Sequence, residues 1–106
     1  MKPAFRSARA RGDIQHALDF YILQAPHMAM AFVAALEKST AQIERQPGIG
    51  SPRYALELGI PRLRSWRLNR FPYALFYIEH DNRLDVIRVV HTSRDIPASL
   101  QTETPS

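Results

Sequence analysis

Two amphipathic segments follow each other directly between residues 13 and 43, with only Pro26 to separate them. In both segments side chains suited to burial recur at steps of three and four residues, which is the repeat of one face of a helix. The first stripe comprises Ile14, Ala17, Leu18, Tyr21, Ile22 and Ala25, and the second comprises Ala29, Phe32, Val33, Leu36, Thr40 and Ile43. We expect Asp13 to cap a first helix that stops before Pro26, and Pro26 to begin the second. So short a connection predicts an antiparallel helical hairpin.

The rest of the chain predicts a connector and several strands. The glycines and prolines of residues 47–61 cannot continue a helix, and they indicate an irregular connector. Residues 64–69 alternate, with Trp66 and Leu68 on one side, as in a half-buried strand. Residues 73–80 are apolar on most of both sides, which is typical of a central strand, and residues 84–91 return as the next strand of a hairpin. Residues 3–6 form a possible short edge strand.

These elements predict an α+β domain. We expect a short N-terminal strand and an antiparallel helical hairpin packed on one face of a mainly antiparallel sheet of three to four strands. The other sheet face should be partly open and should display outward arginines and aromatic rings. With 106 residues the chain has the size of one domain, which we expect to span residues 1–98. The polar residues 99–106 should form a frayed C-terminal tail.

The charge of the chain suits an acidic partner without identifying one. Its formal net charge is +4, and 12 of its 14 basic residues are arginines. A guanidinium group binds carboxylates and phosphates at two points and stacks on aromatic rings. A genome rich in G and C produces the same bias, so recognition and base composition are alternative explanations. The sequence starts without a secretory signal and contains no run long enough to span a membrane, so we expect a cytoplasmic protein.

Motifs for cofactor, metal or acyl-transfer chemistry are absent from the sequence. There is no cysteine to form a disulfide, a thiolate zinc site or a nucleophile. Gly48-Ile49-Gly50 lacks the further glycine and the flanking strand and helix of a dinucleotide-binding turn. Ser51 has no nucleophile-elbow pattern, and no P-loop occurs. The four histidines form no helical i,i+4 pair and no cluster with carboxylates; they are His16, His27, His80 and His91. We therefore expect no cofactor, no metal and no catalytic residue.

Four arginines lie close together with no acid among them, and they are Arg62, Arg64, Arg67 and Arg70. Trp66 and Phe71 lie among or beside them, and Arg88 of the last strand is expected on the same side. Such groups can hold a phosphate chain or clamp the acidic side chains of a protein partner. The alternative is a solvated strand face whose arginine stems cover the Trp66 ring. We favour partner binding because four like charges repel each other unless an anion meets them.

His91 ends the last predicted strand and is followed by a polar segment, Thr92-Ser93-Arg94-Asp95. An imidazole in this place can act as an acid or a base. Alternatively, His91 and the loop after it hold the chain end in place by hydrogen bonds, with Asp95 paired to Arg94. We favour the second interpretation.

Three segments, taken in order, resemble the ParE branch of the RelE/ParE toxin superfamily over about residues 5–98. They are residues 59–68 (GIPRLRSWRL), residues 71–77 (FPYALFY), and Val89-Val90-His91 with Arg94-Asp95-Ile96-Pro97. The resemblance implies a type II toxin that blocks DNA gyrase and forms a hetero-oligomer with a neutralising ParD-like antitoxin. It implies no direct binding of nucleic acid. The residues expected to contact a partner are Arg62, Arg64, Trp66, Arg67, Arg70, Phe71, Tyr73, Arg88, His91 and Arg94.

The same resemblance leaves an enzymatic alternative. Members of the RelE branch cut messenger RNA on the ribosome with several basic groups and a tyrosine near the chain end. The arginine that such enzymes place just inside the central strand corresponds here to Ala74, and no tyrosine follows Asp95. The gyrase-directed branch is therefore preferred. A ribonuclease with a different residue set and an inactive toxin-like binding domain are the alternatives.

Overall fold

Helices and strands follow the predicted order, with two short helices in addition. In the computed structural model, which describes residues 1–101, the strands are β1 (Ala4–Arg6), β2 (Leu63–Arg67), β3 (Tyr73–Glu79) and β4 (Leu84–His91). The helices are α1 (Ala8–Gln24), α2 (Pro26–Arg45), α3 (Arg53–Leu58) and α4 (Ile96–Gln101), and a 3-10 turn spans Pro47–Ile49. Within this described part of the chain, no helix combines the length and the apolar character needed to cross a membrane.

Helix α1 begins at Ala8, so the predicted start at Asp13 is wrong. Ser7 is the N-cap: its backbone is extended, and its hydroxyl accepts a hydrogen bond from the Ala10 N–H at 3.0 Å. Serine is favoured at this position because its side chain satisfies an N–H group that has no partner inside the helix. The predicted boundary at Pro26 is confirmed, since Pro26 occupies the first turn of α2.

The sheet is mixed and has the strand order β1-β4-β3-β2. The pairs β2–β3 and β3–β4 are antiparallel, which confirms a mainly antiparallel sheet, whereas β1 pairs with β4 in parallel. A parallel neighbour requires a long connection, and here most of the chain lies between β1 and β4. The register between β3 and β4 shifts at Phe76 and Tyr77, where the chain forms a bulge.

The α1–α2 hairpin covers the first face of the sheet, as the helical stripes predict. Phe32, Leu36 and Ile43 of α2 are at most 2% exposed, and they share one apolar cluster with Leu75 and Tyr77 of β3. Removing this much apolar surface from water is the main favourable contribution to the stability of such a domain. The alternation of β3 therefore directs its odd-numbered side chains toward the hairpin.

The Tyr77 hydroxyl anchors the connector that follows α2. It donates a hydrogen bond to the Pro47 carbonyl at 2.7 Å and accepts one from the Gly50 N–H at 3.0 Å. A Cβ atom at Gly50 would lie 2.6 Å from this hydroxyl and 2.9 Å from the Ser65 carbonyl oxygen. Position 50 therefore requires glycine because the chain passes so close to β2 and β3.

The second face of the sheet is covered by short helices over much of its area, which differs from the partly open face that we expected. Ala74 and Phe76 of β3 form a second apolar cluster with Leu63, Val90 and Leu100. Residues of α3 and α4 pack against this cluster. The physical reason lies in β3, whose even-numbered residues are as apolar as its odd-numbered ones. A strand that is apolar on both sides needs a layer of structure on each face.

Helix α3 corrects the prediction of an irregular connector. It lies between Pro52 and Gly59, and Gly59 has a left-handed backbone with φ 66°. The Ile60 N–H closes the helix end by donating to the Ala55 carbonyl at 3.1 Å. Proline before a helix and glycine after it are the signals of its two ends, and both are present in the sequence.

Helix α4 corrects the prediction of a frayed tail from residue 99. The Asp95 carboxylate, which we expected to pair with Arg94, accepts a hydrogen bond from the Ala98 N–H at 3.2 Å and so caps this helix. Leu100 is 0% exposed and belongs to the second cluster. The domain thus extends beyond residue 98, to at least residue 101. Residues 102–106 of the predicted tail lie outside the described residues.

Replacing Leu100 by Ala should lower the free energy of unfolding by about 3 kcal/mol, because a buried leucine leaves a cavity when it is truncated. Leu56→Ala is the matched control: Leu56 is 91% exposed, so the change should stay within about 0.5 kcal/mol. Urea denaturation followed by circular dichroism measures both values. Equal stability of the two variants would show that α4 does not pack as described.

Candidate partner-binding cleft

A cleft of about 650 Å³ opens at the edge of the sheet where β1 ends. β1 pairs with β4 only as far as Arg6, opposite Val86, whereas β4 continues to His91. Beyond β1, helix α1 takes the place of a neighbouring strand. The cleft is bounded by residues 13–21 of α1, by Tyr73, and by residues 88–94, and we refer to it as the β4 cleft.

Arg88 and Asp13 form a nearly buried ion pair in the wall of the β4 cleft. Arg88 Nε lies 2.7 Å from Asp13 Oδ2, and Nη2 lies 3.1 Å from Oδ1, which is a two-point geometry. The same carboxylate accepts the Val89 N–H at 3.0 Å, and Arg88 Nη1 donates to the Ser99 carbonyl at 2.8 Å. This single pair therefore joins α1, β4 and α4.

The ring of His91 is held at the end of β4 by Ser93. The Ser93 N–H donates to His91 Nδ1 at 3.1 Å, and the Ser93 hydroxyl oxygen lies 2.7 Å from the same nitrogen. The Arg94 N–H donates to the His91 carbonyl at 3.0 Å, and the Tyr73 ring lies edge-on to the imidazole at 5.0 Å. Because Nδ1 accepts a hydrogen bond, a neutral His91 carries its proton on Nε2. His91 thus organises the loop, in agreement with the favoured interpretation.

Two tyrosines line the β4 cleft as uncharged hydroxyl groups. Burial raises the pKa of Tyr21. Burial also raises the pKa of Tyr73, the neighbouring Tyr21 raises it further, and the positive charge of Arg94 opposes both effects. Both phenols therefore keep their protons at neutral pH and can donate hydrogen bonds.

The lining of the β4 cleft suits an anionic group carried on a partly apolar chain. Arg94 and His16 are exposed, and the Phe20 ring beside them is 54% exposed. Since Asp13 is neutralised by Arg88, its carboxylate does not cancel the charge of Arg94 for an entering ligand. Guanidinium and phenol groups are strong donors to carboxylate and phosphate oxygens. Within residues 1–101, no three His, Cys, Asp or Glu side chains lie together as a metal would require.

Arg64 is engaged in structure rather than displayed to solvent. It lies opposite Tyr77 in the β2–β3 register and is half-buried. Its Nη1 donates to the Gly50 carbonyl at 2.8 Å and to the Gly48 carbonyl at 3.3 Å. The guanidinium thus helps Tyr77 to hold the connector.

Two of the other arginines, Arg67 and Arg88, do not lie on the sheet face of Arg64. Arg67 is exposed and lies opposite Ala74, which belongs to the second face of the sheet. Arg62 and Arg70 are exposed residues on either side of β2, with φ values of 67° and 72°. Arg88 lies opposite Phe76, on the sheet face of Arg67, but it is only 7% exposed. Arg64 and Arg67 are therefore on opposite faces of the sheet, and Arg88 is not displayed to solvent beside them.

Trp66 and Phe71 pack inside the domain against the hairpin. Trp66 is half-buried, and its indole N–H donates to the Gln42 side-chain oxygen on α2 at 3.0 Å. Phe71 is 5% exposed and meets the rings of Tyr21 and Phe32 edge-on, with centroids 5.4 and 5.5 Å apart. Such edge-to-face contacts are the preferred geometry of packed aromatic rings. The two residues are thus anchors of the fold rather than displayed contacts.

The β4 cleft brings together four of the ten predicted contact residues, namely Tyr73, Arg88, His91 and Arg94. Among its other lining residues, which the sequence patterns did not single out for binding, are Asp13, His16 and Phe20. His16 and Phe20 lie one helical turn apart on α1. Phe20 is an apolar residue outside the predicted buried stripe, and the sequence alone could have indicated it as an exposed apolar side chain. Asp13 gave no comparable signal, because only the fold places it beside Arg88.

The comparisons with known proteins identify the family and the fold of the chain. The sequence profile of the family described as ParE toxin of type II toxin-antitoxin system, parDE, matches residues 5–96. The chain belongs to this family. The predicted resemblance to ParE-type toxins is thereby confirmed.

The fold of this ParE-family chain is also similar to a solved structure described as the chromosomal ParDE TA system from P. aeruginosa. The TM-score is 0.71, and the match covers 86% of this chain and 96% of the other at 18% sequence identity. At that identity the likeness shows the fold alone. No curated protein sequence matches the chain.

In this ParE-family chain, Asp13→Asn should lower the free energy of unfolding by about 3 kcal/mol, because it leaves the Arg88 charge buried without its counter-ion. Asp19→Asn is a suitable control, since Asp19 is exposed on the same helix and accepts a hydrogen bond from the exposed Gln15 at 2.8 Å. Thermal and urea unfolding measure the difference. A stability of Asp13→Asn within about 0.5 kcal/mol of the parent would contradict a structural role of the pair.

Arg64→Ala should destabilise the ParE-family chain by about 1–2 kcal/mol, because two connector carbonyls lose a charged donor. Arg67→Ala should change stability by less than about 0.5 kcal/mol, since Arg67 is exposed. Urea titration of the two variants measures both changes. The opposite order of stabilities would mean that the connector is held by other contacts.

Proposed function

We propose that this chain inhibits DNA gyrase by binding to it, and that a ParD-like antitoxin neutralises it by occupying the β4 cleft. Membership of the ParE family of type II toxin–antitoxin systems supports the proposal. The description of the similar P. aeruginosa structure as a ParDE system supports a ParD-like partner. On this proposal the chain acts in the cytoplasm, as a hetero-oligomer with its antitoxin until it is released.

The buried environment of Ala74 is the observation that best supports action by binding rather than by catalysis. This is the position at which the ribonuclease branch would place an arginine, and here it is a methyl group, 3% exposed, in the second apolar cluster. A side chain at this position faces α3 and α4, away from the hairpin face. A basic group is therefore missing from the set that phosphodiester cleavage needs. We infer that the chain acts without catalysis.

The charge of the chain fits the proposed partner surfaces. The chain has a net charge of +4. Its exposed basic side chains include Arg94 in the β4 cleft and Arg62, Arg67 and Arg70 outside it. Exposed guanidinium groups accelerate association with acidic surfaces and give specificity. We propose that Tyr73, His91 and Arg94 contact the antitoxin. Arg62, Arg67 and Arg70, which are exposed and lie outside the β4 cleft, remain available for gyrase.

The purified chain should inhibit negative supercoiling by gyrase, and a stoichiometric amount of its antitoxin should restore it. The expected mechanism is occupation of a gyrase surface, so inhibition should saturate with toxin concentration. Agarose-gel analysis of relaxed plasmid incubated with gyrase and ATP measures the effect. Relaxation of the plasmid by a type I topoisomerase in the same buffer is the control and should be unaffected. Full supercoiling with the folded toxin in large excess would overturn the proposal.

A second candidate function, ribosome-dependent cleavage of messenger RNA, is favoured by one observation. The β4 cleft contains two imidazoles, His16 and His91, together with Arg94 and the hydroxyl of Tyr73. Two imidazoles can act as an acid and a base beside a phosphate-binding cation. Primer extension on translated messenger RNA tests this activity. Codon-specific cuts that disappear in the variant His91→Asn would replace gyrase inhibition by the ribonuclease hypothesis.

A further inference from the structure

A second groove, of about 340 Å³, lies between α2 and the link that joins β2 to β3. It is bounded by residues between 31 and 38 of α2 and by residues 69–71 of the link, and we refer to it as the α2 groove. None of these residues lines the β4 cleft. A partner in the α2 groove therefore uses side chains that an occupant of the β4 cleft does not contact.

The floor of the α2 groove is apolar and shallow in side chains. On α2, Ala31 and Ala34 are exposed and Ala35 is half-buried, and the nearly buried Phe71 lines the groove from the link. Methyl groups allow the backbone or a small side chain of a partner to approach the helix closely, and this contact removes apolar surface from water. The helix rises about 10 Å from Ala31 to Lys38, which matches about three residues of an extended segment or two turns of a helix.

The polar side chains of the α2 groove are two cations and an amide, with no carboxylate among them. Lys38, Asn69 and Arg70 are exposed, and their side chains have no hydrogen-bond or ion-pair partner within residues 1–101. Glu37 precedes Lys38 in the chain but does not line the groove. The positive charge is therefore free to meet an entering carboxylate.

Arg70 has an uncommon backbone conformation at the rim of this groove. Its φ of 72° lies in the left-handed region, which glycine adopts without a steric penalty and an L side chain does not. Residues held in such conformations are often found where a protein binds a ligand. A position that favours glycine thus presents a guanidinium to the α2 groove.

We propose that the α2 groove docks an acidic segment of gyrase, whose carboxylate binds Lys38 and Arg70 while its small or apolar side chains pack on Ala34 and Phe71. This inference rests on the proposed function, because gyrase is the partner. Arg70 is one of the exposed arginines available for gyrase, and it lines this groove. Two cations above an apolar floor suit a protein segment better than a DNA backbone, whose binding depends on many phosphate contacts.

The first test compares gyrase inhibition by the parent chain, Lys38→Glu and Arg45→Glu. Arg45 is exposed at the end of the same helix and outside the α2 groove, so its variant is matched in the change of net charge. Lys38→Glu should raise the concentration for half inhibition of supercoiling about tenfold or more, because a like charge then meets the acidic segment. Arg45→Glu should raise it less than about threefold. Melting temperatures verify that both variants fold.

The variant Arg70→Gly separates binding from folding. Glycine relieves the left-handed backbone, so the melting temperature should not fall. Loss of the guanidinium should nevertheless raise the concentration for half inhibition about threefold or more. A lower melting temperature with unchanged inhibition would show that Arg70 serves the fold instead.

The shape of the groove has a test of its own, in Ala34→Gln. Glutamine is a good helix former without charge, and at this position it fills the α2 groove, so inhibition should weaken about fivefold or more. Ala8→Gln makes the same change at an exposed position at the start of α1, and its inhibition should equal that of the parent.

The possible failures are distinguishable. If the folded parent chain does not inhibit gyrase, the proposed function fails together with this inference. If the parent inhibits and either of the folded variants Lys38→Glu and Arg70→Gly inhibits equally well, docking in the α2 groove is overturned while inhibition of gyrase stands.

Two further measurements exclude other occupants of the groove. Isothermal titration calorimetry with the purified antitoxin should give the parent and Lys38→Glu the same affinity to within about twofold, because the charge lies outside the β4 cleft. A loss of about threefold or more in the folded variant would place the antitoxin in the α2 groove and overturn the proposal. A gel shift of plasmid DNA by the parent chain alone, abolished in Lys38→Glu, would show a nucleic-acid occupant and overturn it as well.

Discussion

The ion pair between Arg88 and Asp13 is the interaction on which the functional region depends. Two charges that are largely removed from water are stable only when their geometry is good and their remaining hydrogen-bonding groups are satisfied. Here both carboxylate oxygens and three guanidinium nitrogens have partners, and these partners come from α1, β4 and α4. This pair therefore helps the apolar packing of α1 to fix its position relative to the end of β4. That position defines the width of the β4 cleft.

The central strand determines the other layers of the molecule. Because β3 is apolar on both sides, it requires the hairpin on one face and α3 with α4 on the other. The same strand carries Tyr77, which holds the connector, and Tyr73, which lies in the β4 cleft. A single strand thus contributes both to packing and to the lining of the β4 cleft. A shift of its register by one residue would move its side chains to the opposite face of the sheet.

The long, periodic elements of the fold could be predicted from the sequence, because the same pattern of buried side chains recurs many times along each of them. The hairpin and the three main strands are of this kind. The short helices were not predicted, although Pro52 and Gly59 mark the ends of α3 and the apolar side of β3 requires a cover. The two short helices contain too few residues to show a clear helical repeat, and the surrounding prolines and glycines indicate an irregular segment instead.

The candidate site was predictable only in part, for a different reason. His91, Arg94 and Tyr73 were found because their segments resemble a family motif. The ion pair was not, since Asp13 and Arg88 lie 75 positions apart and nothing local links them. Arg64 and Arg67 were misjudged because neighbouring residues on a strand point to opposite faces, so closeness in sequence says little about shared surface.

The part of β4 that extends beyond β1 has a consequence for association between copies of the chain. Unpaired strand edges are sites at which proteins aggregate by pairing with further copies, and long, flat, apolar edges are the most hazardous. Here the Asp13 carboxylate accepts the Val89 N–H and the His91 carbonyl accepts the Arg94 N–H, so this edge offers too short a ladder for two copies of the chain to extend a common sheet. The positive charge of Arg94 beside it repels a second copy. Copies of the chain therefore have little tendency to join their sheets at this edge.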